Sequence, residues 1–159
     1  MMKRYLLAAF LFFVCTGAYA QSLSFGDLLN LTSMADAQSR DMLASSKGFK
    51  ATGNITLNGK TYAQYTKVTK GTPDKNESVL VGAAVKSATG VLSHEIIFNT
   101  SQSADLDNLL AEAKKSNLTP VFQGADLTSN IYRFDNSLFR ASISLAFDKK
   151  SGNVDVQQK

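Results

Sequence analysis

Three features of this sequence predict an α+β fold of two layers, an antiparallel β-sheet covered on one face by helices. Phe139, Ala141, Ile143, Leu145 and Phe147 alternate with Arg140, Ser142, Ser144, Ala146 and Asp148. That period of two belongs to a strand with one face on a core and the other in water. Asn58-Gly59 separates two further strand-like stretches, 51–57 and 60–69, and supplies the two positive φ angles of a type I′ hairpin turn. Leu106, Leu109, Leu110 and Ala113 recur at helical spacing, so helices alternate with the strands along the chain.

The first element is a targeting segment. Lys3 and Arg4 precede an apolar run from Tyr5 to Val14 and the small-residue pattern Ala18-Tyr19-Ala20, the three parts of a secretory signal peptide. The run is too short to cross a hydrocarbon core of roughly 30 Å as a helix. Cleavage is expected after Ala20. Cys15 raises lipidation as an alternative, but Phe12-Phe13-Val14 are bulky where a lipobox has small residues. Residues 1–20 are thus read as signal and 21–159 as a single α+β domain of a secreted or periplasmic protein, the bacterial envelope being the expected setting. Loss of Lys3 and Arg4 leaves 15 basic against 13 acidic residues, a net charge of +2. That is too even to favour nucleic acid or an anionic membrane surface as partner. No cysteine remains, so packing without disulfides must hold the fold. No later apolar run is long enough to span a bilayer.

Two helical stretches follow, 25–31 and 34–47. Thr32 and Ser33 stand where an N-cap is wanted, with Asp36 placed to answer Ser33 in a capping-box-like arrangement, and Leu28, Leu31, Ala35 and Met42 are expected on one stripe. Gly48 suits the left-handed residue that ends the second stretch, with Phe49 folding back on the last turn. After the hairpin and a polar loop at 71–76, strands are expected at 78–85 and 91–99. Asp105 and Asp107 open the next helix and Lys114 and Lys115 close it, each sign favoured by the helix dipole.

The order helix, hairpin, further strands recurs along the sequence, giving candidate repeats 22–99 and 101–158. Ser46-Lys47-Gly48-Phe49 is echoed by Lys115-Ser116-Asn117-Leu118, Phe49 and Leu118 lie 69 positions apart, and Tyr62 and Tyr132 lie 70 apart. Ordinary α+β alternation, with helix ends obeying common capping rules, is the competing explanation.

Motifs for chemistry are incomplete. Gly59-Lys60-Thr61 resembles the end of a phosphate-binding loop, but Asn54 stands where its first glycine belongs and a strand follows in place of a helix N-terminus. Asp74-Lys75-Asn76-Glu77-Ser78 begins like a calcium loop, yet Val79 and Val85 replace its glycine and its bidentate glutamate. His94 shares a strand face with Leu92, Ile96 and Phe98, whereas Ser93 and Glu95 point the other way, so no local triad forms. Asp105 and Asp107 diverge by about 200° on a helix. No H-E-x-x-H, C-x-x-C or G-x-S-x-G occurs, and no cofactor or metal is expected. Five N-x-[ST] sequons, at Asn30, Asn54, Asn76, Asn99 and Asn117, would matter only in a eukaryotic secretory pathway.

What remains is the open face of the sheet. Arg140, Ser142 and Ser144 belong there, joined by one of the alternating pairs Tyr62/Gln64 or Ala63/Tyr65, and Tyr132 and Arg133 complete the candidate binding set of Tyr62, Tyr65, Tyr132, Arg133, Arg140, Ser142 and Ser144. Tyrosine and arginine combine large contact area with directional polar ends. Two successive helix-then-antiparallel-strand units in a chain of this size resemble the beta-lactamase inhibitor protein fold, and the Gly48-Phe49 junction is similar to that of uncharacterised small secreted bacterial envelope proteins. The resemblance implies a tandem repeat that binds a protein on its sheet face. This chain lacks the disulfides of the inhibitor family, and no functional residue is carried over. The expected function is a non-enzymatic module that contacts a protein or other macromolecule of the cell envelope. The alternatives are a small-molecule binder or enzyme with a pocket near His94, and a passive structural component.

Overall fold

A computed structural model describes residues 23–159 except 72–73 and 87–89. The predicted signal segment and Cys15 lie outside the described residues. The chain forms an α+β fold dominated by one eight-stranded antiparallel sheet, with the helices against one face.

The first helix, α1 (Phe25–Leu31), starts at Ser24 with a complete capping box: the Ser24 hydroxyl accepts from the Asp27 N–H, and the Asp27 carboxylate accepts from the Ser24 N–H. The second helix, α2 (Asp36–Asp41), begins later than the sequence pattern suggests, and Ala35 is its N-cap. Thr32 is used elsewhere. Its hydroxyl donates back to the Leu29 carbonyl, and its own carbonyl accepts from the His94 N–H at 2.7 Å. The expected stripe shifts accordingly: Ala35 is exposed, and Ser39 and Leu43 are buried instead. One π-helical turn, Met42–Ser46, continues α2. Gly48 then takes φ 73°, and the Phe49 N–H donates to the Leu43 carbonyl six residues back, closing the π turn, and Phe49 is buried.

Strands β1 (Lys50–Leu57) and β2 (Lys60–Thr69) form the hairpin, turning at Asn58 and Gly59 with φ 50° and 76°. Strand β3 (Lys75–Gly82), a short side hairpin of β4 (Val85–Lys86) and β5 (Leu92–Ser93), and β6 (Glu95–Thr100) follow. The long helix α3 (Ser103–Lys115) buries Leu106, Leu109, Leu110 and Ala113. The chain ends in β7 (Thr119–Ala125), β8 (Ser129–Asp135), β9 (Phe139–Ala146) and β10 (Gly152–Gln158). The sheet order is β1-β2-β3-β6-β10-β9-β8-β7. Each half of the chain thus lays down four strands, and the two fourth strands, β6 and β10, meet at the centre.

The two sets of four strands share two details. A bulge interrupts edge strand β1 between Ala51 and Gly53, and another interrupts edge strand β7 between Pro120 and Phe122. Beside them, Tyr65 and Phe134, 69 residues apart, are both buried. The Tyr62–Tyr132 echo is off this offset by one residue, and one residue along a strand means the opposite face. The helix ends also differ, because Asn117 is not left-handed; the Ser116 hydroxyl caps the Ala113 carbonyl instead.

The core lies between the helices and the sheet: Val79, Val81, Ile96, Phe98, Ala141, Ile143, Val154 and Val156 from the strands meet Leu28, Leu31, Leu43, Leu106 and Leu109. Phe147 does not join it. The strand stops at Ala146, and Phe147 is half exposed in the following turn. At the edge of the core, Lys75 pairs with Glu77 at 3.2 Å and with Asp105 at 3.0 Å, and the Thr100 hydroxyl donates to Asp105. These nearly buried groups tie β3 to the first turn of α3.

Candidate functional site

The helices cover only the face that carries Val79, Ile96, Ile143 and Val154. Antiparallel partners share a face, so the register fixes what the other face presents. Across the sheet centre it reads Tyr62 and Gln64 on β2, Leu80 and Gly82 on β3, Glu95 and Ile97 on β6, Asp155 and Gln157 on β10, Arg140, Ser142 and Ser144 on β9, and Arg133 and Asp135 on β8.

A polar cluster stands in the middle. Tyr62 lies opposite Gly82, and the close approach of its ring to that glycine leaves the tyrosine only 3% exposed. The Tyr62 hydroxyl donates to Glu95 Oε2 at 2.9 Å, and Lys60 Nζ donates to the same oxygen at 2.7 Å. Burial, reinforced by the Glu95 carboxylate, pushes the Tyr62 phenol up to about 12, so it stays a donor at any physiological pH. Lys60 is held above its ordinary value by its bond to Glu95.

Asp155 sits one strand away, opposite Ile97 on β6 and Ser142 on β9. Desolvation is the main cause that raises its carboxyl, the Glu95 charge adds to it, and Lys60 opposes it; the result is about 6. No hydrogen bond to another described residue holds the Asp155 carboxylate in compensation. A cleft of about 350 Å³ opens beside the cluster, lined by Tyr62, Glu95 and Gln157 of the sheet and by Val85 and Ser93 of the side hairpin. Val85 is 64% exposed there.

Of the residues expected from sequence, Tyr62, Arg133, Arg140, Ser142 and Ser144 share this face. Arg133 stacks over the Phe122 ring with its guanidinium carbon 5.2 Å from the centroid, and Arg140 lies opposite Asp135, whose carboxyl is held low chiefly by Lys159. Tyr65 and Tyr132 do not belong to it. Tyr65 is in the core, and Tyr132 faces the helices, with Lys114 5.7 Å above its ring. Both stand an odd number of residues from an open-face neighbour on the same strand, so the pleat turns them away.

Lys60, Asp155 and Gln157 were missed by sequence reasoning, and Glu95 entered it only beside His94 in the alternative of a small-molecule or enzyme pocket. One signal was available: placing His94 with the apolar residues of its strand leaves Glu95 on the other face.

His94 is 1% exposed, with Nδ1 2.8 Å from the Gly82 carbonyl and Nε2 2.8 Å from the Met34 carbonyl. The Asp36 carboxylate lies 3.6 Å from Nε2. With the backbone bond to Thr32, the residue bolts the α1–α2 connection to the sheet. His94 also contributes to the lining of the 350 Å³ cleft beside Glu95, with both ring nitrogens within hydrogen-bond distance of backbone carbonyls.

Among the described residues no group of His, Cys, Asp and Glu has the arrangement a metal ion needs. None of their helices is long and apolar enough to cross a membrane. The chain matches no protein-family model, no curated protein and no solved structure.

Proposed function

We propose that the chain is a non-enzymatic recognition module of the bacterial cell envelope, secreted or periplasmic, whose uncovered sheet face contacts a protein partner. The observation that carries this reading is the Tyr62–Glu95–Lys60–Asp155 cluster at the centre of that face. A sheet face meant only for water has no use for a tyrosine buried against a glycine, nor for a carboxyl held up to about 6 by desolvation. Both are features of surfaces shaped to be desolvated by a partner. Arg133 and Arg140 extend the face toward β8 with cationic groups, and the cleft at Val85 offers an apolar hold for an inserted side chain. The likeness in element order to beta-lactamase inhibitor proteins, which bind protein on a sheet, points the same way.

The test is capture of envelope proteins by immobilised wild-type protein and by Tyr62→Ala, Arg140→Glu and Ser142→Arg variants. Tyr132→Ala serves as the control on the helix-covered side. Specific capture that Arg140→Glu and Ser142→Arg abolish, and that Tyr132→Ala keeps, supports the reading. Capture unchanged by all the open-face substitutions refutes it.

A further inference from the structure

We infer that the cleft between α2 and the helix-covered side of β2 and β3 is a binding site for a small monocarboxylate with an apolar body. The cleft encloses about 230 Å³ and is lined by Ser39 and Arg40 of α2, Thr61, Ala63 and Tyr65 of β2, and Val81 of β3. It opens on the side of the sheet opposite the recognition face, so the inference stands independently of that proposal.

Its polar groups lack partners. The Ser39 side chain is buried, and its hydroxyl has no hydrogen-bond partner among the described residues. A buried donor left so carries a desolvation cost that a bound acceptor removes. Tyr65 is 6% exposed, and its hydroxyl likewise bonds to no described residue. The Arg40 guanidinium enters no ion pair among the described residues. Asp36 also lines the cleft but forms no ion pair with Arg40 among the described residues; its carboxylate lies 3.6 Å from the His94 ring.

All three groups donate, and a carboxylate only accepts. Its two oxygens match the guanidinium fork, with hydroxyl donors left for the remaining lone pairs. Ala63 and Val81 offer an apolar wall to the rest of the molecule. The volume lies below that of sites for drug-sized ligands, which fixes the class as small. Immediately after Arg40 and Asp41 the helix passes into its π turn, a distortion often found beside functional sites.

The experiment is an NMR titration of the 15N-labelled protein with benzoate, using benzamide as the uncharged probe of the same shape. The expected result is saturable shifts at α2 and β2, with benzamide weaker by about tenfold or more, the size of one charge-assisted pairing. Arg40→Gln, an exposed and fold-neutral change, lowers benzoate affinity by about tenfold, and Ser39→Ala lowers it severalfold. Absence of saturation, an equal response to benzamide, or an Arg40→Gln titration indistinguishable from wild type would each overturn the assignment.

Discussion

Asp155→Asn should make the protein more stable at neutral pH, and the expected size follows from the surroundings of the carboxyl. Burial and the Glu95 charge raise it from 3.8 to about 6. The native state therefore holds this proton more tightly than the unfolded chain does. Its stabilising effect is complete below about pH 3.8 and is lost as pH rises through about 6. The full difference corresponds to about 3 kcal/mol. Because the carboxyl is partly open to solvent, screening reduces this to about 1–2 kcal/mol. The amide keeps the shape and loses the charge, so Asp155→Asn should raise the urea midpoint at pH 7.5 by about 0.5–1 M and have little effect at pH 4. Urea unfolding followed by far-UV circular dichroism at both pH values measures this. An unchanged or lowered midpoint at pH 7.5, or an equal gain at both pH values, would refute the electrostatic account of the face. Under the proposed function, such a costly carboxylate is what a stability–function trade-off would leave at a recognition surface.

Three further predictions concern the scaffold. Lys75→Met removes an ammonium that Glu77 and Asp105 share at the edge of the core, so it should cost about 3 kcal/mol in calorimetric or urea unfolding. Gly152→Ala should be severely destabilising, by about 3 kcal/mol or more, because a Cβ there would fall 2.1 Å from the Ser144 carbonyl oxygen and 2.6 Å from Leu106 Cδ1. His94→Ala frees the carbonyls of Gly82 and Met34 and opens a cavity, with an expected loss of about 2–4 kcal/mol and faster hydrogen exchange centred on residues 32–36.

Local rules made much of the fold legible. Asn58-Gly59 and Gly48 were readable because a positive φ leaves a chemical signature at one position, and the α3 stripe was readable because its period is unbroken. Strand β9 was visible in its alternation, but its end was not: Phe147 continues the apolar pattern, and only the turn that follows carries it out of the sheet. Long-range partners decided what remained obscure. The α2 cap moved past Ser33 because the Thr32 carbonyl is taken by His94, sixty-two residues away in sequence. Strand β10 has only Val154 and Val156 to mark it among polar residues, and it is a central strand because β6 and β9 flank it. The cluster of Tyr62, Glu95 and Asp155 draws on three strands distant in sequence, so no local pattern announces it.

The central claim is that the uncovered sheet face meets a partner. Site-specific photo-crosslinking in producing cells tests it most directly, with the photoreactive residue placed at Ser142 on that face or at the exposed Ala111 on α3. The account predicts a discrete crosslinked product from position 142 and none from position 111. Equal products from both positions, or a product from 111 alone, would contradict it.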